Sequence, residues 1–430
     1  MKKICIIGTG YVGLVSGVCF AELGNNVICV DNDENKISLL KQDKIPIYEP
    51  GLEDLLKKNK NRISFTSSIK DGVINSDIIF IAVGTPPRPD GSADLSSIEH
   101  VVREIAYNMK SYKLIVDKST VPVETGEKVK ITIERNLRKK VKFDVASNPE
   151  FLREGNAIND FLNPERIVIG VESKKAEKIL KEIYKPINSP IIVVDIKSAE
   201  LIKHASNSFL ATKISFINSV ANLCEKVGAD ITKVALGMGY DKRIGKEFLN
   251  AGIGYGGFCF PKDVDAFYWI AKKNGYDFKI LRAVRDVNRY QKENFVKKIE
   301  DTLWILQGKT VSVLGLSFKP NTDDIRFAPS IDIIKMLIQK GAKIKAYDPK
   351  AMNKAKEVLK GYNVEYCKSV YDAVRKSDCM VIITEWNEFM KINFKKVKKI
   401  MKQPIIIDGR NIYQPERLKK IGFIYKGVGR

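Results

Sequence analysis

Histidine is nearly missing from this chain, with two residues in 430. The seven cysteines, at 5, 19, 29, 224, 259, 367 and 379, are odd in number and form no CxxC pair. A metal site needs several imidazole or thiolate ligands at short spacing and a disulfide framework needs paired thiols, so neither is expected. No apolar run reaches the ~18 residues that a membrane span requires. The opening Met1-Lys-Lys-Ile-Cys-Ile-Ile-Gly8 reads as a strand entering a glycine turn and lacks a signal-peptide cleavage pattern, so a cytoplasmic protein is expected. Acid is in short supply: 73 Lys and Arg face 51 Asp and Glu, a net charge of +22. The cations are dispersed, as in Lys174 to Lys185 and Lys391 to Lys402, without interleaved aromatics. That pattern suits a solvated surface rather than a nucleic-acid interface, with attraction of small anions as a secondary effect.

What the chain does contain is a βαβ opening. A strand from Lys3 to Ile7 runs into Gly8-Thr-Gly-Tyr-Val-Gly13, a helix follows to about Leu23, and Val27 to Asp31 is the next strand. Glycines alone would suit any tight turn. Here the motif follows a strand, opens a helix and precedes an acid at the end of the next strand. A helix N-terminus holds a pyrophosphate through its unpaired N–H groups, and the Asp31 carboxylate accepts ribose hydroxyls. That carboxylate repels a 2′-phosphate, and Asn32-Asp33-Glu34 supplies no arginine, so NAD is expected rather than NADP. Lys36 either assists or lies on the surface.

Later strands end at polar loops: Asp77 to Val83 before Gly84-Thr-Pro-Pro87, Leu114 to Asp117, and Phe143 to Ala146. The pattern recurs near the other end, where Thr310 to Leu316, Ala342 to Asp348 and Ser377 to Ile383 parallel the strands of the first half. At ~150 residues per domain, 430 residues suit two or three domains, and two Rossmann-like halves explain the echo. The second half lacks GxGxxG and carries Ser317-Phe-Lys-Pro320 after its glycine, so it should take a different ligand, or the same class differently. Between the halves, Ser198 to Val227 is apolar on more than one face. Such a helix must be buried between layers or between subunits, and is expected to support a homodimer.

Several residues then stand out. Lys203 and Asn207 are four apart and share a helix face, as a satisfied core pair or as a pair facing a polar substrate. His204 points elsewhere and reads as structural. Glu150 and Glu154, in Asn148-Pro-Glu-Phe-Leu-Arg-Glu-Gly155, follow a strand where α/β sheets bind ligands. Thr120, in Lys118-Ser-Thr-Val-Pro122, either positions a cofactor or water or caps a turn. Lys319, Arg326 and Arg410 bring cations to strand-end loops of the second half and suggest a second nucleotide there. Cys259 is the exception among the thiols, in Gly252-Ile-Gly-Tyr-Gly-Gly-Phe-Cys-Phe-Pro-Lys-Asp263. Pro261 fits the first position of a helix continuing through Asp263 to Asn274, so the thiol faces a helix N-terminus. That positive end and Lys262 favour thiolate, drawing a pKa of about 8.5 toward neutrality.

With these pieces in place, the chain resembles the UDP-glucose/GDP-mannose dehydrogenase family over nearly its whole length. Eight ordered motifs carry the resemblance: GTGYVG at 8 to 13, GTPP at 84 to 87, KSTVP at 118 to 122, NPEFLREG at 148 to 155, KHASN at 203 to 207, GYGGFCFPKD at 254 to 263, FKPNTDDIR at 318 to 326 and DGR at 408 to 410. It implies an α/β fold of two Rossmann-like domains with parallel sheets, joined by a long central helix and an all-helical dimerisation region. The implied divisions are 1–197 for NAD, 198–300 for the helical part and 301–430 for the UDP-sugar. It further implies a four-electron oxidation of UDP-glucose to UDP-glucuronate with two NAD, through a thiohemiacetal and a thioester on Cys259.

On the same resemblance, Lys203, Asn207, Asp263, Glu150 and Thr120 would surround the reacting carbon and its water. Gly8, Gly10, Tyr11, Val12, Gly13, Asp31, Lys36, Thr85, Thr120, Glu154 and Arg326 would meet NAD. Glu150, Phe151, Leu152, Arg153, Lys203, Asn207, Arg243, Phe248, Leu249, Asn250, Gly254, Tyr255, Gly256, Lys319 and Arg410 would line the UDP-sugar. Sister activities on UDP-N-acetylmannosamine, UDP-N-acetylglucosamine or GDP-mannose, and a catalytically silent nucleotide-sugar binder, stay open. The joint presence of Cys259, Lys203, Asn207 and Asp263 counts against the silent reading, and Phe-Pro-Lys-Asp after Cys259 together with Arg410 favours UDP-glucose.

Overall fold

A computed structural model describes residues 1–430. The chain forms two compact units, Met1–Ser206 with Asp265–Tyr276, and Asn207–Val264 with Asp277–Arg430. The first is built on β1 (Lys3–Ile7), β2 (Asn26–Val30), β3 (Ile63–Thr66), β4 (Ile78–Ile81), β5 (Lys113–Asp117), β6 (Phe143–Ser147), β7 (Ile167–Val171) and β8 (Ile191–Val194). They lie in the order β3-β2-β1-β4-β5-β6-β7-β8. Strands β4 and β5 are buried along their whole length, which explains their near-continuous apolar runs. In β1 the side chains alternate between two cores, Ile4 and Ile6 on one face, Cys5 and Ile7 on the other.

The sheet is not parallel throughout. β7 pairs antiparallel with β6 and parallel with β8, so one edge carries a reversed pair. Such an addition leaves the parallel centre intact. The β1 turn depends on Gly8, whose φ is +100° and whose Cβ, if present, would stand 2.7 Å from the Ala82 carbonyl oxygen. No other residue fits there without moving β4.

The second unit holds β9 (Thr310–Leu314), β10 (Lys343–Tyr347), β11 (Val364–Tyr366), β12 (Cys379–Ile382), β13 (Ile405–Asp408) and β14 (Ile424–Lys426). All its pairings are parallel, and the order β11-β10-β9-β12-β13-β14 repeats that of the first six strands of the other sheet. The repeat seen in sequence is therefore a repeat of topology. Gly315, at φ +98°, ends β9 as Gly8 ends β1. The strands stop one or two residues short of the sequence reading at several ends. Asp31 and Asp348 lie past the ladders because their carboxylates fold back onto the backbone of the turns after β1 and β9.

Residues 196–303 contain helices and no strand, among them Ile196–Val227, Ile231–Gly239, Cys259–Lys273 and Lys279–Leu303. The 196–227 helix starts two residues before its expected beginning. It buries Ala211, Ile217, Ala221 and Cys224, while Phe209, Phe216, Leu223 and Val227 are 65%, 54%, 57% and 66% exposed. Steps of seven, seven and four residues keep these four on one stripe. Within a single chain the helix is therefore not buried all round.

Phe20 anchors the first unit, fully buried with its ring 5.0 Å from those of Phe80 and Phe161 and 5.5 Å from that of Tyr184. Phe20→Ala is expected to remove about 3–5 kcal/mol of stability in urea unfolding, the cost of a large core cavity. A change below about 1 kcal/mol contradicts this packing.

Candidate functional site

The helix Tyr11–Glu22 begins after Gly10, with no side-chain cap and no acid in its first turn. Its unpaired N–H groups present a positive end to an anion. A Cβ on Gly10 would have nothing within 4 Å, which leaves space for a ligand; one on Gly13 would stand 1.8 Å from the Gly8 carbonyl oxygen, so that glycine serves helix–strand packing. Asp31 accepts from the Thr9 N–H and hydroxyl, each at 2.8 Å, and from the Asp33 N–H at 3.0 Å. Lys36 Nζ lies 3.8 Å from it. Burial raises the Asp31 carboxyl, but these donors and Lys36 outweigh it and hold it below the ordinary carboxylate range. The cradle fits a dinucleotide: the turn of Gly8 to Gly13 could hold a pyrophosphate, and Asp31 and Lys36 could hold a ribose. Thr85 Oγ1 donates to the Thr120 carbonyl at 2.9 Å, tying the loops after β4 and β5.

A cluster of buried charge follows β6. Glu150 Oε1 lies 3.0 Å from Lys203 Nζ with both side chains nearly dry, and Glu150 Oε2 accepts the Leu152 N–H. The Phe151 ring lies under Lys203 Nζ, 5.3 Å from its centroid. Lys118 is buried too and donates to Asn148 Oδ1 at 3.0 Å. Burial lowers its ammonium to about 8, with Glu150 opposing the shift and Lys203 adding to it. Dry ion pairs are poor stabilisers and more often mark chemistry. Arg153 stands apart: it binds Asp160 through its N–H, Nε and Nη2. His204 Nε2 lies 2.8 Å from the Val121 carbonyl oxygen and fixes the loop that carries Thr120.

The thiol loop departs from the sequence reading. The helix begins at Cys259, two residues before Pro261, so proline sits in the first turn rather than opening it. Its missing N–H still costs nothing there, because the first four are unpaired in any helix. Cys259 is half-buried, whereas the other six cysteines are buried. Burial pushes the thiols of Cys5, Cys19, Cys29 and Cys379 up, away from thiolate. Asp263 is fully buried, accepts from Asn207 Nδ2 at 2.6 Å and pairs with Lys262, whose ammonium it neutralises. Lys203 and Asn207 are thus bonded not to each other but to two different carboxylates.

In the second half, Arg410 donates to the carbonyls of Ile383 at 2.7 Å, Phe318 at 3.3 Å and Gly254 at 3.4 Å, joining three loops. Arg326 binds Asp324 through Nε and Nη2 and lies 4.2 Å over the Phe258 ring. Lys319 Nζ is 5.5 Å from the Phe318 ring. Tyr255 and Phe248 flank Phe260 at 5.9 and 6.1 Å, Leu249, Gly254 and Gly256 are buried, and Asn250 is exposed. Arg243 is not brought into this cluster; it is exposed and bound to Asp241. Asp348, the counterpart of Asp31, accepts N–H groups of Leu316, Ser317, Lys350 and Ala351 and the Trp386 indole. The chain itself saturates this acid, so the second half does not offer the acceptor that the first half offers.

Sequence reasoning passed over Glu49 and Glu200. Glu49 bonds the Tyr11 hydroxyl and accepts the N–H groups of Gly155 and Ala157, tying the cofactor turn to the Glu150 loop. Glu200 accepts the N–H groups of Glu124 and Gly126 at 2.8 and 2.7 Å, at the start of the helix Thr125–Asn136. A lone acid far along the chain from its partners leaves no local signal; only the Glu200–Lys203–His204 spacing on one apolar helix hinted at a polar seam.

Three models of the UDP-glucose/GDP-mannose dehydrogenase family match the chain: the NAD binding domain over residues 2–188, the central domain over 197–290 and the UDP binding domain over 312–415. The chain is 52% identical to the UDP-glucose 6-dehydrogenase TuaD of Bacillus subtilis over 432 residues, covering 100% of this chain and 94% of that one. Among solved structures it is similar to a UDP-glucose dehydrogenase from Pyrobaculum islandicum, at 39% identity and a TM-score of 0.94, covering 100% and 98% of the two chains. It is also similar to a UDP-D-ManNAc dehydrogenase from Pyrococcus horikoshii, at 28% identity and a TM-score of 0.88, covering 100% and 99%.

Burial raises the Glu200 carboxyl from 4.5 to about 7 in spite of its two N–H donors. The folded chain therefore keeps a proton that the unfolded chain loses, so stability from this group is full below pH 4.5 and is lost as pH rises to about 7. The stability difference between wild type and Glu200→Gln is expected to fall by about 3 kcal/mol across that window and to level off above it. Denaturant titrations at several pH values check this, and parallel curves contradict it.

Proposed function

The chain belongs to the UDP-glucose/GDP-mannose dehydrogenase family, and from that premise we propose that it oxidises the C6 alcohol of UDP-glucose to the carboxylate of UDP-glucuronate. The carrying observation is one chain that holds both a dinucleotide cradle closed by Asp31 and a half-buried thiol at the first position of a helix, Cys259. Bound NAD supplies the hydride acceptor for both oxidations, so two NADH form per uronate. Higher identity to UDP-glucose enzymes than to the UDP-D-ManNAc enzyme supports the glucose reading.

Each residue then has a task. The Cys259 thiolate adds to the C6 aldehyde: a C–S bond forms, the carbonyl π bond opens, and the resulting oxyanion is held by the Lys203 ammonium and the Asn207 amide. After the second oxidation, water attacks the thioester carbon while the carboxylate of Glu150 or Asp263 takes its proton, the Lys203 ammonium again facing the oxyanion. The tetrahedral oxyanion collapses, the C–S bond breaks, and the thiolate returns with release of the carboxylate. With two histidines in the chain, carboxylates and lysine do the acid–base work. Thr120 positions water or cofactor, Glu154 and Arg326 meet the cofactor, and Lys319 and Arg410 meet the UDP phosphates. Arg243 meets the substrate from its exposed turn.

The exposed stripe of Phe209, Phe216, Leu223 and Val227 supports a homodimer, since a soluble monomer rarely leaves such a patch wet. The domains are divided at 197 and 300, and the enzyme works in the cytoplasm.

NADH counted against UDP-glucose is expected to give a ratio of two; a ratio of one would mean a simple alcohol dehydrogenase, and none overturns the reading. Cys259→Ala is expected to abolish uronate formation with NAD affinity kept within about twofold, as a residue touching only the aldehyde stage requires. In light scattering, wild type is expected at twice its 48.5 kDa chain mass and Phe216→Asp at a single chain mass. A monomeric wild type removes the dimer.

A further inference from the structure

The segment from Gly252 to Tyr255 belongs to no strand, yet most of its backbone groups are paired. The Gly252 N–H donates to Asn218 Oδ1 at 2.8 Å, and Gln291 Nε2 donates to the Gly252 carbonyl at 2.9 Å. Asn288 grips Tyr255 at both ends of the residue, accepting its N–H at 2.8 Å and donating to its carbonyl at 3.1 Å. One carboxamide there does what a strand does, offering a donor and an acceptor side by side. Asn222 Nδ2 holds Gln291 Oε1 at 3.0 Å, and Asn294 Nδ2 holds Asn222 Oδ1 at 2.9 Å, which fixes the orientation of the Gln291 amide. Asn288 and Gln291 stand three apart on the helix Lys279–Leu303 and face the same way.

The other side of the segment is held by the second Rossmann half. The Ile253 N–H donates to the Gly409 carbonyl at 3.2 Å, and Arg410 reaches the Gly254 carbonyl. Gly254 is at φ +98°, and a Cβ on it would stand 2.6 Å from Asn288 Oδ1. The loop is therefore squeezed between an amide ladder and β13. No member of the ladder titrates, so the grip holds at any pH at which the chain is folded.

We propose that Asn288 and Gln291 are positioning residues for the sugar nucleotide: they hold the 252–255 backbone in one conformation, and with it the approach to Cys259 four residues on. This rests on the reading that Phe248 to Tyr255 meet the UDP-sugar. A loop ordered before binding does not have to be ordered by the ligand, so the ladder acts on affinity more than on the chemical step.

The test is Asn288→Asp, which keeps the acceptor for the Tyr255 N–H, loses the donor to its carbonyl and sets a charge against it. Gln291→Glu keeps the acceptor for Asn222, loses the donor to the Gly252 carbonyl and sets a charge against it, and serves if the first variant does not fold. Either variant is expected to raise KM for UDP-glucose, and the Kd of UDP in calorimetry, about tenfold, the effect of one unmade buried hydrogen bond. KM for NAD is expected to stay within about twofold, and kcat to change less than KM for UDP-glucose. Folded variants with UDP affinity within about twofold of wild type overturn the proposal. So does an equal loss for UDP and NAD, which general destabilisation would give. If wild type binds UDP but does not oxidise UDP-glucose, the proposed activity fails while the UDP titrations still decide the clamp.

Discussion

Strands buried on both faces leave a parallel sheet only its ends for chemistry. That constraint orders both units. In the first, Gly8, Thr85, Thr120 and Glu150 follow β1, β4, β5 and β6; in the second, Ser317, Glu385 and Arg410 follow β9, β12 and β13. The strands themselves hold little but aliphatic side chains, and the loops after them are short enough to be fixed by a few backbone hydrogen bonds. Glu49, His204 and Glu200 supply such bonds from elsewhere in the chain.

Charge inside these units is handled by pairing. Lys203 meets Glu150, Asp263 meets Lys262 and Asn207, and Lys118 leans on Asn148 beneath Phe80 and Phe161. None of these arrangements is an efficient way to stabilise a fold, because desolvation offsets most of the attraction. They make sense as preset electrostatics, with cations and carboxylates held dry and oriented before a substrate arrives. The amides of the 279–303 helix do the complementary work without charge, setting backbone rather than field.

The two halves also show how one topology separates into two uses. Asp31 and Asp348 occupy the same place after the second strand of their sheets and both hook the turn after the first strand. The first is buried too, but has Lys36 beside it and fewer donors from the chain. The second is closed by Trp386 and four N–H groups. The second half has no helix opening directly after its first turn, as the first half does after Gly10, so the Ser317 turn does not repeat that cradle.

The local code settled what local physics controls. Glycine spacing, the alternation of strand faces, the echo between halves and the singular setting of Cys259 could all be read in order along the chain, because each depends on neighbours within a few residues. The helix start at Cys259 was misplaced by two residues, since proline is tolerated throughout a first turn and does not mark its first position alone. Partners were another matter. That Lys203 meets Glu150 while Asn207 meets Asp263, that β7 and β8 run backwards, that Asn288 grips Tyr255 and that Asp348 is saturated were decided only by tertiary structure. A side chain's type fixes what it can bond, but its partner is set by which distant segments the burial of apolar faces brings together.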